Sequence, residues 1–246
     1  MSGYQPTTPN YGIDAPGIIR TFFLLAVAAA IAGWFLPSLP LLSSHPGLVR
    51  GPLLVLALGC AAFGTAMLAY GVRGKFNHRA QMLRMISWTG HEQVLDVGTG
   101  LAFLAVGAAK HLTTGHVTGV DIWQAADLSD NTRARAERNI QLEGVADRVT
   151  LRHQDARQLD FPSHSFDVIV SLLCIHNIED AAGRGAACRE IARVLRPGGT
   201  VLLSDYIGTR EYAAILTEAG LRVQPPKSYI AQSYGLMWMV VATKPA

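Results

Sequence analysis

"VLDVGTGLAF", Val94–Phe103, decides the fold. An apolar run closes on the acid Asp96 and then on two glycines, Gly98 and Gly100. This is how a buried strand turns sharply into a helix beside a ligand, because glycine lets the backbone approach without a Cβ in the way. Strand and helix patterns alternate from there. Val94–Val97, His116–Asp121, Arg148–His153, Ser165–Leu172, Thr200–Ser204, Leu221–Val223 and Met237–Ala242 read as strands. Leu101–His111, Thr132–Glu143, Ala186–Leu195 and Tyr212–Ala219 read as helices. The order predicts an α/β domain with a doubly wound, mostly parallel seven-stranded sheet. No long helix separates the last two strands, which are expected to form an antiparallel hairpin at the edge.

Upstream the composition changes. The chain has 246 residues, of which 50% are hydrophobic and 16% charged. The apolar excess lies at the front. Ile18–Leu36 is apolar apart from Arg20 and Thr21, and Pro52–Val72 has no charged residue. Each approaches the roughly 20 residues that cross about 30 Å of hydrocarbon. "PSLPLLSSHPGLVRG" between them is punctuated as a helix-to-helix connection. Gly59, Ala61, Ala62, Gly64 and Ala66 would allow close helix contact in lipid.

The reading is a transmembrane hairpin over residues 15–76, after a flexible tail at residues 1–14 and before a domain at 77–246. A cleaved signal peptide competes with it; the nearly uncharged N-region and the second span at once after the first favour the hairpin. Two buried helices of a soluble protein would need a polar face, and neither stretch has one. Arg73, Lys75, Arg79 and Arg84 follow the second span, while the connection offers only Arg50, so the N-terminus and the domain are expected in the cytoplasm. "FNHRAQMLRMISW" reads as a short amphipathic helix joining membrane to domain, lying against headgroups.

A net charge of +3, with no basic cluster interleaved with aromatics, argues against nucleic acid as a partner. Cys60, Cys174 and Cys188 share no metal or disulfide spacing, so no metal site is expected.

The ligand is narrowed by the acids. A dinucleotide fingerprint needs a third glycine where Phe103 stands, and Asp96 would repel a pyrophosphate but suits a ligand bearing an ammonium. Asp121 closes the second strand, where a carboxylate accepts from ribose hydroxyls. Ile122 and Trp123 offer an apolar surface to a purine. Asp155 and Ala156 follow the third strand, where an acid can accept from an exocyclic amine. Any one of these acids has an ordinary alternative as a cap or turn residue; three after three successive strands carry more weight.

With "VLDVGTG", "GVDIW", "QDARQLDFPSHSFDVIVSLLCIHNI" and "EIARVLRPGGTVLLSDY" in this order, the chain resembles the class I S-adenosylmethionine-dependent methyltransferases over roughly Asn77–Ala246. It is similar to the branch with ubiquinone/menaquinone C-methyltransferases, and to bacterial members with a membrane hairpin and a "GKF.HR" lead into the domain. The resemblance implies a Rossmann-like methyltransferase fold with S-adenosylmethionine as cofactor. It implies that Asp96, Gly98, Thr99 and Gly100 line its methionine end and that Asp121 binds ribose. Ile122 and Trp123 would flank adenine, Asp155 and the Ala156 backbone would read its edge, and Ser171 and Leu172 would close the methionine side. The family's third glycine is Ala102 here, expected on the first helical turn, where a methyl alters packing without abolishing binding.

Methyl transfer from a sulfonium is an in-line displacement that needs a base only if the acceptor must lose a proton. His176 is the candidate base, with a loop-fixing histidine as the alternative. Asp205 and Tyr206, at the end of the fifth strand, are candidates to face the acceptor or are strand-end caps. Tyr229, Tyr234 and Trp238 either border the acceptor pocket or pack an edge hairpin on its sheet. Cys174 reads as buried filler. The resulting expectation is a membrane-anchored methyltransferase acting on a small, hydrophobic or lipid-like acceptor. The alternatives are a non-catalytic S-adenosylmethionine-binding scaffold or sensor in the membrane, and a nicotinamide oxidoreductase, against which Phe103 and Asp96 both speak.

Overall fold

The computed structural model describes residues 7–40, 43–124, 128–229 and 237–246. Residues 1–6 of the expected tail, and Tyr234, lie outside them.

Two long helices come first. Helix α1 is Pro16–Phe35 and α2 is Pro46–Ala69, each with Pro in its first turn, where the missing N–H costs nothing. A π-helical turn, Tyr70–Gly74, carries α2 without a break into α3, Lys75–Arg84. The segments Pro16–Ser38 and Pro46–Arg84 each contain a stretch that is long and apolar enough, by length and composition, to cross a membrane. Ala57, Cys60 and Gly64 bury α2 against α1. At Gly64 a Cβ would lie 3.4 Å from Phe22 and Phe23, so this expected small residue does sit at the helix contact. Gly59, named with it, faces open space.

The domain is built from β1 (Gln93–Val97), α4 (Phe103–Ala109), β2 (His116–Asp121), α5 (Arg133–Leu142), β3 (Val149–His153) and β4 (Phe166–Leu172). After these come α6 (Ala181–Val194), β5 (Leu195–Asp205), α7 (Thr209–Glu218), β6 (Arg222–Val223), β7 (Lys227–Ser228) and β8 (Trp238–Thr243). The strands run in the order β3-β2-β1-β4-β5-β8-β6, with β7 pairing β8. β1 to β5 are parallel, and β8 inserts antiparallel between β5 and β6. The sheet therefore has eight strands where seven were expected; the extra one is the two-residue β7, too short to leave a periodic signal. Helix caps follow the side chains: Thr132 accepts from Arg135 N, and Asp180 from Gly183 N.

Alternation along β1 sorts the core onto both faces of the sheet. Val94 packs with Leu104, Ala105, Val106 and Ile140 from α4 and α5. Leu95 and Val97 pack with Cys188, Ile191, Tyr212 and Leu216 from α6 and α7. The first cluster also takes in Met82, Leu83 and Ile86 of α3 and the turn after it. The apolar side of that segment thus faces the domain core and not headgroups, as its sequence had suggested, because α4 offers it a close seat. At Gly107 a Cβ would stand 2.7 Å from Leu83 Cδ1.

A second correction concerns residues 10–14, expected to be mobile. Tyr11 is buried, and Asn10 exchanges hydrogen bonds with Asn139, its N donating to Oδ1 and its carbonyl accepting from Nδ2, both at 2.9 Å. The Tyr11 hydroxyl donates to Glu143 at 2.7 Å, Ile13 N donates to Ser129 Oγ at 2.9 Å, and Asp14 bridges to Leu128. Composition alone signalled disorder here; the partners that fix the strap are more than a hundred residues away in sequence.

Candidate active site

The strand order reverses between β1 and its neighbours β2 and β4, and a crevice opens there over the carboxyl ends of the strands. It forms one cavity of about 850 Å³. Asp96, Gly98, Thr99, Gly100, Asp121, Ile122, Asp155, Ala156, Leu172, His176 and Tyr206 all line it, so most of the candidate residues are brought together. The cavity also takes in residues that no local pattern marked for a ligand: Tyr11 and Asp14 of the strap, Lys75, and Ile18, Phe63, Ala66, Met67 and Tyr70 of the long helices.

The glycine corner shows why its residue types are needed. Gly98 has φ +72°, and a Cβ there would stand 2.2 Å from Cys174 Sγ. Ala102 is not on the first turn of α4 but at its N-cap, fully buried at φ +64°. A left-handed conformation costs an alanine about 1–2 kcal/mol, which a glycine would be spared. Asp96 Oδ2 accepts from Thr99 Oγ1 at 2.7 Å and from Ala105 N at 2.9 Å. Burial pushes this carboxyl up to about 7, against those two hydrogen bonds. A cationic group in the crevice would restore its charge. The corner suits an ammonium for that reason and would repel a phosphate.

Asp121 has both oxygens engaged by the backbone: Oδ2 accepts from Gly100 N at 2.7 Å and Oδ1 from Trp123 N at 2.5 Å. Burial raises its pKa, with the amides of Gly100, Trp123 and Ile122 opposing. It both props the glycine turn and presents a carboxylate to the cavity, where each oxygen keeps lone pairs for a ligand hydroxyl.

Three candidates are placed differently from expectation. The Trp123 indole turns back, its Nε1 donating to Gly100 O at 3.1 Å and its ring stacking on His153 with centroids 6.0 Å apart. It supports the turn, and Ile122, 47% exposed, is the apolar side chain that lines the cavity at this point. Ser171 is buried and donates to Val97 O at 2.8 Å, tying β4 to β1 where it was expected to face the cofactor. Asp155 reaches the cavity but is paired with Arg157, which donates from Nε to both oxygens at 3.0 Å. That guanidinium holds its carboxyl below the usual range. Tyr229 and Trp238 are not among the cavity-lining residues; the Tyr229 hydroxyl lies against Met85 Sδ and Trp238 pairs in the sheet.

Across the cavity, His176 sits in the turn Ile175–Asn177 after β4. Its Nδ1 stands 2.6 Å from Asp205 Oδ1, and its backbone N donates to Asp205 Oδ2 at 3.2 Å. Asp205 is buried at the end of β5 and also receives the Tyr212 hydroxyl at 3.4 Å. His176 Nδ1 and Asp205 Oδ1 are in contact without an aligned hydrogen bond; a proton on Nδ1 facing the carboxylate would leave Nε2 as the acceptor. Tyr206 packs edge-on against the imidazole, ring centroids 4.7 Å apart.

A doubly wound sheet with an acid-then-glycine corner at its switch point, and a second acid closing the next strand, is the arrangement implied by the resemblance to class I S-adenosylmethionine-dependent methyltransferases. Residues 95–203 match the sequence profile of a methyltransferase domain. The chain is similar to 27-O-demethylrifamycin SV methyltransferase of Amycolatopsis mediterranei, 33% identical over 50% of this chain and 42% of that protein. It is similar also to the ubiquinone/menaquinone biosynthesis C-methyltransferase UbiE of Bdellovibrio bacteriovorus, 30% identical over 58% of this chain and 55% of the relative. It thus spans about half the length of these curated relatives. The crystal structure of the [4+2]-cyclase SpnF shares the fold, with a TM-score of 0.57 and 18% identity over 68% of this chain and 80% of that one.

Proposed function

We propose that this protein is a membrane-anchored methyltransferase that moves the methyl group of S-adenosylmethionine to a small, apolar acceptor bearing an ionisable O–H or N–H. The observation that carries the reading is the His176–Asp205 pair, 2.6 Å apart, on the rim of the cavity that holds the Asp96–Gly100 corner. When bound, the cofactor supplies a sulfonium methyl whose carbon–sulfur bond breaks, the electron pair going to sulfur, as the acceptor's lone pair forms the new bond. His176 Nε2 takes the acceptor's proton, and Asp205 holds the ring in the tautomer that can accept it. Asp96 receives the amino-acid ammonium and Asp121 the ribose hydroxyls, while Ile122 and Leu172 close the apolar sides. These groups hold donor and acceptor in line and exclude water, an orientation effect worth up to about 7–11 kcal/mol.

The hairpin supports the membrane part of the reading. Its outward residues are large and apolar: Leu24, Val27, Trp34, Val55 and Leu58 are all exposed, a surface that water would not favour and lipid would. Arg73, Arg79 and Arg84 after the second span support a cytoplasmic side for the domain.

The test is incubation of the detergent-purified full chain with methyl-tritiated S-adenosylmethionine and a bacterial membrane lipid extract, followed by organic extraction. Label should enter the organic phase with wild type and fall at least about 100-fold with His176→Asn. Cofactor binding by calorimetry with no label transferred would favour the scaffold, and no binding at millimolar concentration would overturn the reading.

A further inference from the structure

The cavity is not confined to the domain. Four residues of the second long helix line it: Phe63, Ala66 and Met67 of α2, and Tyr70, which opens the π-helical turn. Their spacing of three, four and seven places them in one stripe on one helix face. At a rise of about 1.5 Å per residue the stripe runs about 10 Å, from the head of the catalytic cavity toward the middle of the hairpin. Ile18 of α1 faces it. Ile18 is 52% exposed and Phe63 46%, so the far end of the cavity opens on the surface that the hairpin would show to lipid.

At the near end stands an unexplained polar group. The Tyr70 side chain is 93% buried by its 7% exposure, lines the cavity, and its hydroxyl has no hydrogen-bond partner among the described residues. A buried hydroxyl without a partner costs about 1–3 kcal/mol, and helices made only to anchor a domain have no need of one. The π turn that begins at Tyr70 is the kind of local irregularity that recurs at functional sites. Asp14 lies 3.5 Å from Lys75 Nζ. With that ammonium already paired, a phosphate would find no free cation among the described cavity-lining residues, whereas a neutral hydroxyl would find Tyr70.

We infer that the hairpin is the acceptor-binding half of the active site. It takes a single-chain amphiphile with an uncharged hydroxyl head directly from the bilayer. The chain lies along Phe63, Ala66 and Met67 against Ile18, and the head receives a hydrogen bond from Tyr70 while it is presented to His176. The inference rests on the proposed function for the reaction that follows; the binding event does not require it.

The test uses 4-decylphenol with a diazirine in mid-chain, photolysed with the full chain in phosphatidylcholine nanodiscs and mapped by peptide mass spectrometry. Adducts are expected around Phe63–Met67 and Ile18, suppressed by excess unlabelled 4-decylphenol. Tyr70→Phe should raise the concentration for half-saturation about five- to tenfold, the loss of one hydrogen bond. Ala66→Phe fills the stripe from an exposed position of α2 and should reduce the saturable adducts with folding kept. S-adenosylmethionine affinity should stay within twofold in both variants. Unsaturable labelling spread equally over lipid-facing Val55 and Leu58, or half-saturation unmoved by Tyr70→Phe, would overturn the inference. Saturable labelling by a chain that does not bind S-adenosylmethionine would sink the proposed function and leave the binding site standing.

Discussion

Lys75 Nζ reaches back across 64 residues to the carbonyl of Tyr11 at 2.8 Å, and to that of Gly12 at 2.6 Å. The ammonium is almost wholly buried and stands in the helix that leaves the hairpin, so one side chain joins the strap, the hairpin and the cavity mouth. Around it Tyr11, Phe76 and Phe103 meet edge to face, with the Arg79 guanidinium 4.2 Å above the Phe103 ring. Lys75→Met keeps the length and removes the donors, leaving two carbonyls unsatisfied. It should weaken S-adenosylmethionine binding by roughly 1.5–3 kcal/mol. Limited proteolysis should then cut within residues 10–14 several-fold faster than in wild type, and uptake of the cofactor by calorimetry gives the affinity.

The His176–Asp205 pair makes a prediction that separates orientation from binding. Asp205→Asn can place an amide N–H against Nδ1, which favours the tautomer with the proton on Nε2 and removes the acceptor from the cavity. Methyl transfer should fall by about 10²–10⁴-fold. Cofactor affinity should be unchanged, because neither residue touches the glycine corner. Single-turnover label transfer and calorimetry on the same preparation measure the two. An equal loss of both would show that Asp205 holds the fold and not the imidazole.

How much was legible depends on where the partners of each residue sit. Asp96, Gly98 and Gly100 could be read because strand, acid and turn are contiguous, and Asp121 because it ends the next apolar run. Trp123 and Ser171 stand where the chain passes the cavity, but the indole, on a residue at φ +50°, turns toward the Gly100 carbonyl, and β4 turns Ser171 toward Val97. Single-residue side-chain direction at a strand end is set by the local twist, which periodicity does not carry. Tyr11, Lys75 and Tyr70 left no signal, since each acts through contacts remote in sequence or on an element whose apolar composition read as anchor. Asp205 was legible as a candidate, but its pairing with His176, 29 residues away, needed the β4–β5 register.

Asp121→Ala removes two things at once. The carboxylate binds the ribose in the proposed complex, and its oxygens also hold the amides of Gly100 and Trp123. Cofactor affinity should fall by roughly 1.5–3 kcal/mol, and the domain should also lose about 1–2 kcal/mol of stability without any ligand present. Asp121→Asn keeps an acceptor oxygen for only one of the two amides and should lie between. Denaturant titration of the cofactor-free protein and calorimetry with S-adenosylmethionine separate the contributions. Unchanged affinity with reduced stability would leave Asp121 a prop of the turn and nothing more.

Asp96 gives a pH dependence whose sign is set by burial. Its carboxyl is pushed up to about 7 in the folded chain, above the usual carboxylate value. The stabilisation from keeping it protonated is therefore complete well below pH 4 and is lost as pH rises through about 7. A bound ammonium reverses the preference by favouring the carboxylate, so binding of S-adenosylmethionine must expel the proton wherever the free protein holds it. Affinity should drop by more than about tenfold between pH 7.0 and pH 5.5, a range in which the ligand's own amine, with an ordinary value of about 7.7–8.0, stays protonated. Calorimetry in two buffers of different ionisation enthalpy should register proton release at pH 6. Asp96→Asn should bind more weakly at pH 7 and show a flat profile over the same range. A sloping profile in that variant would assign the titration to another group.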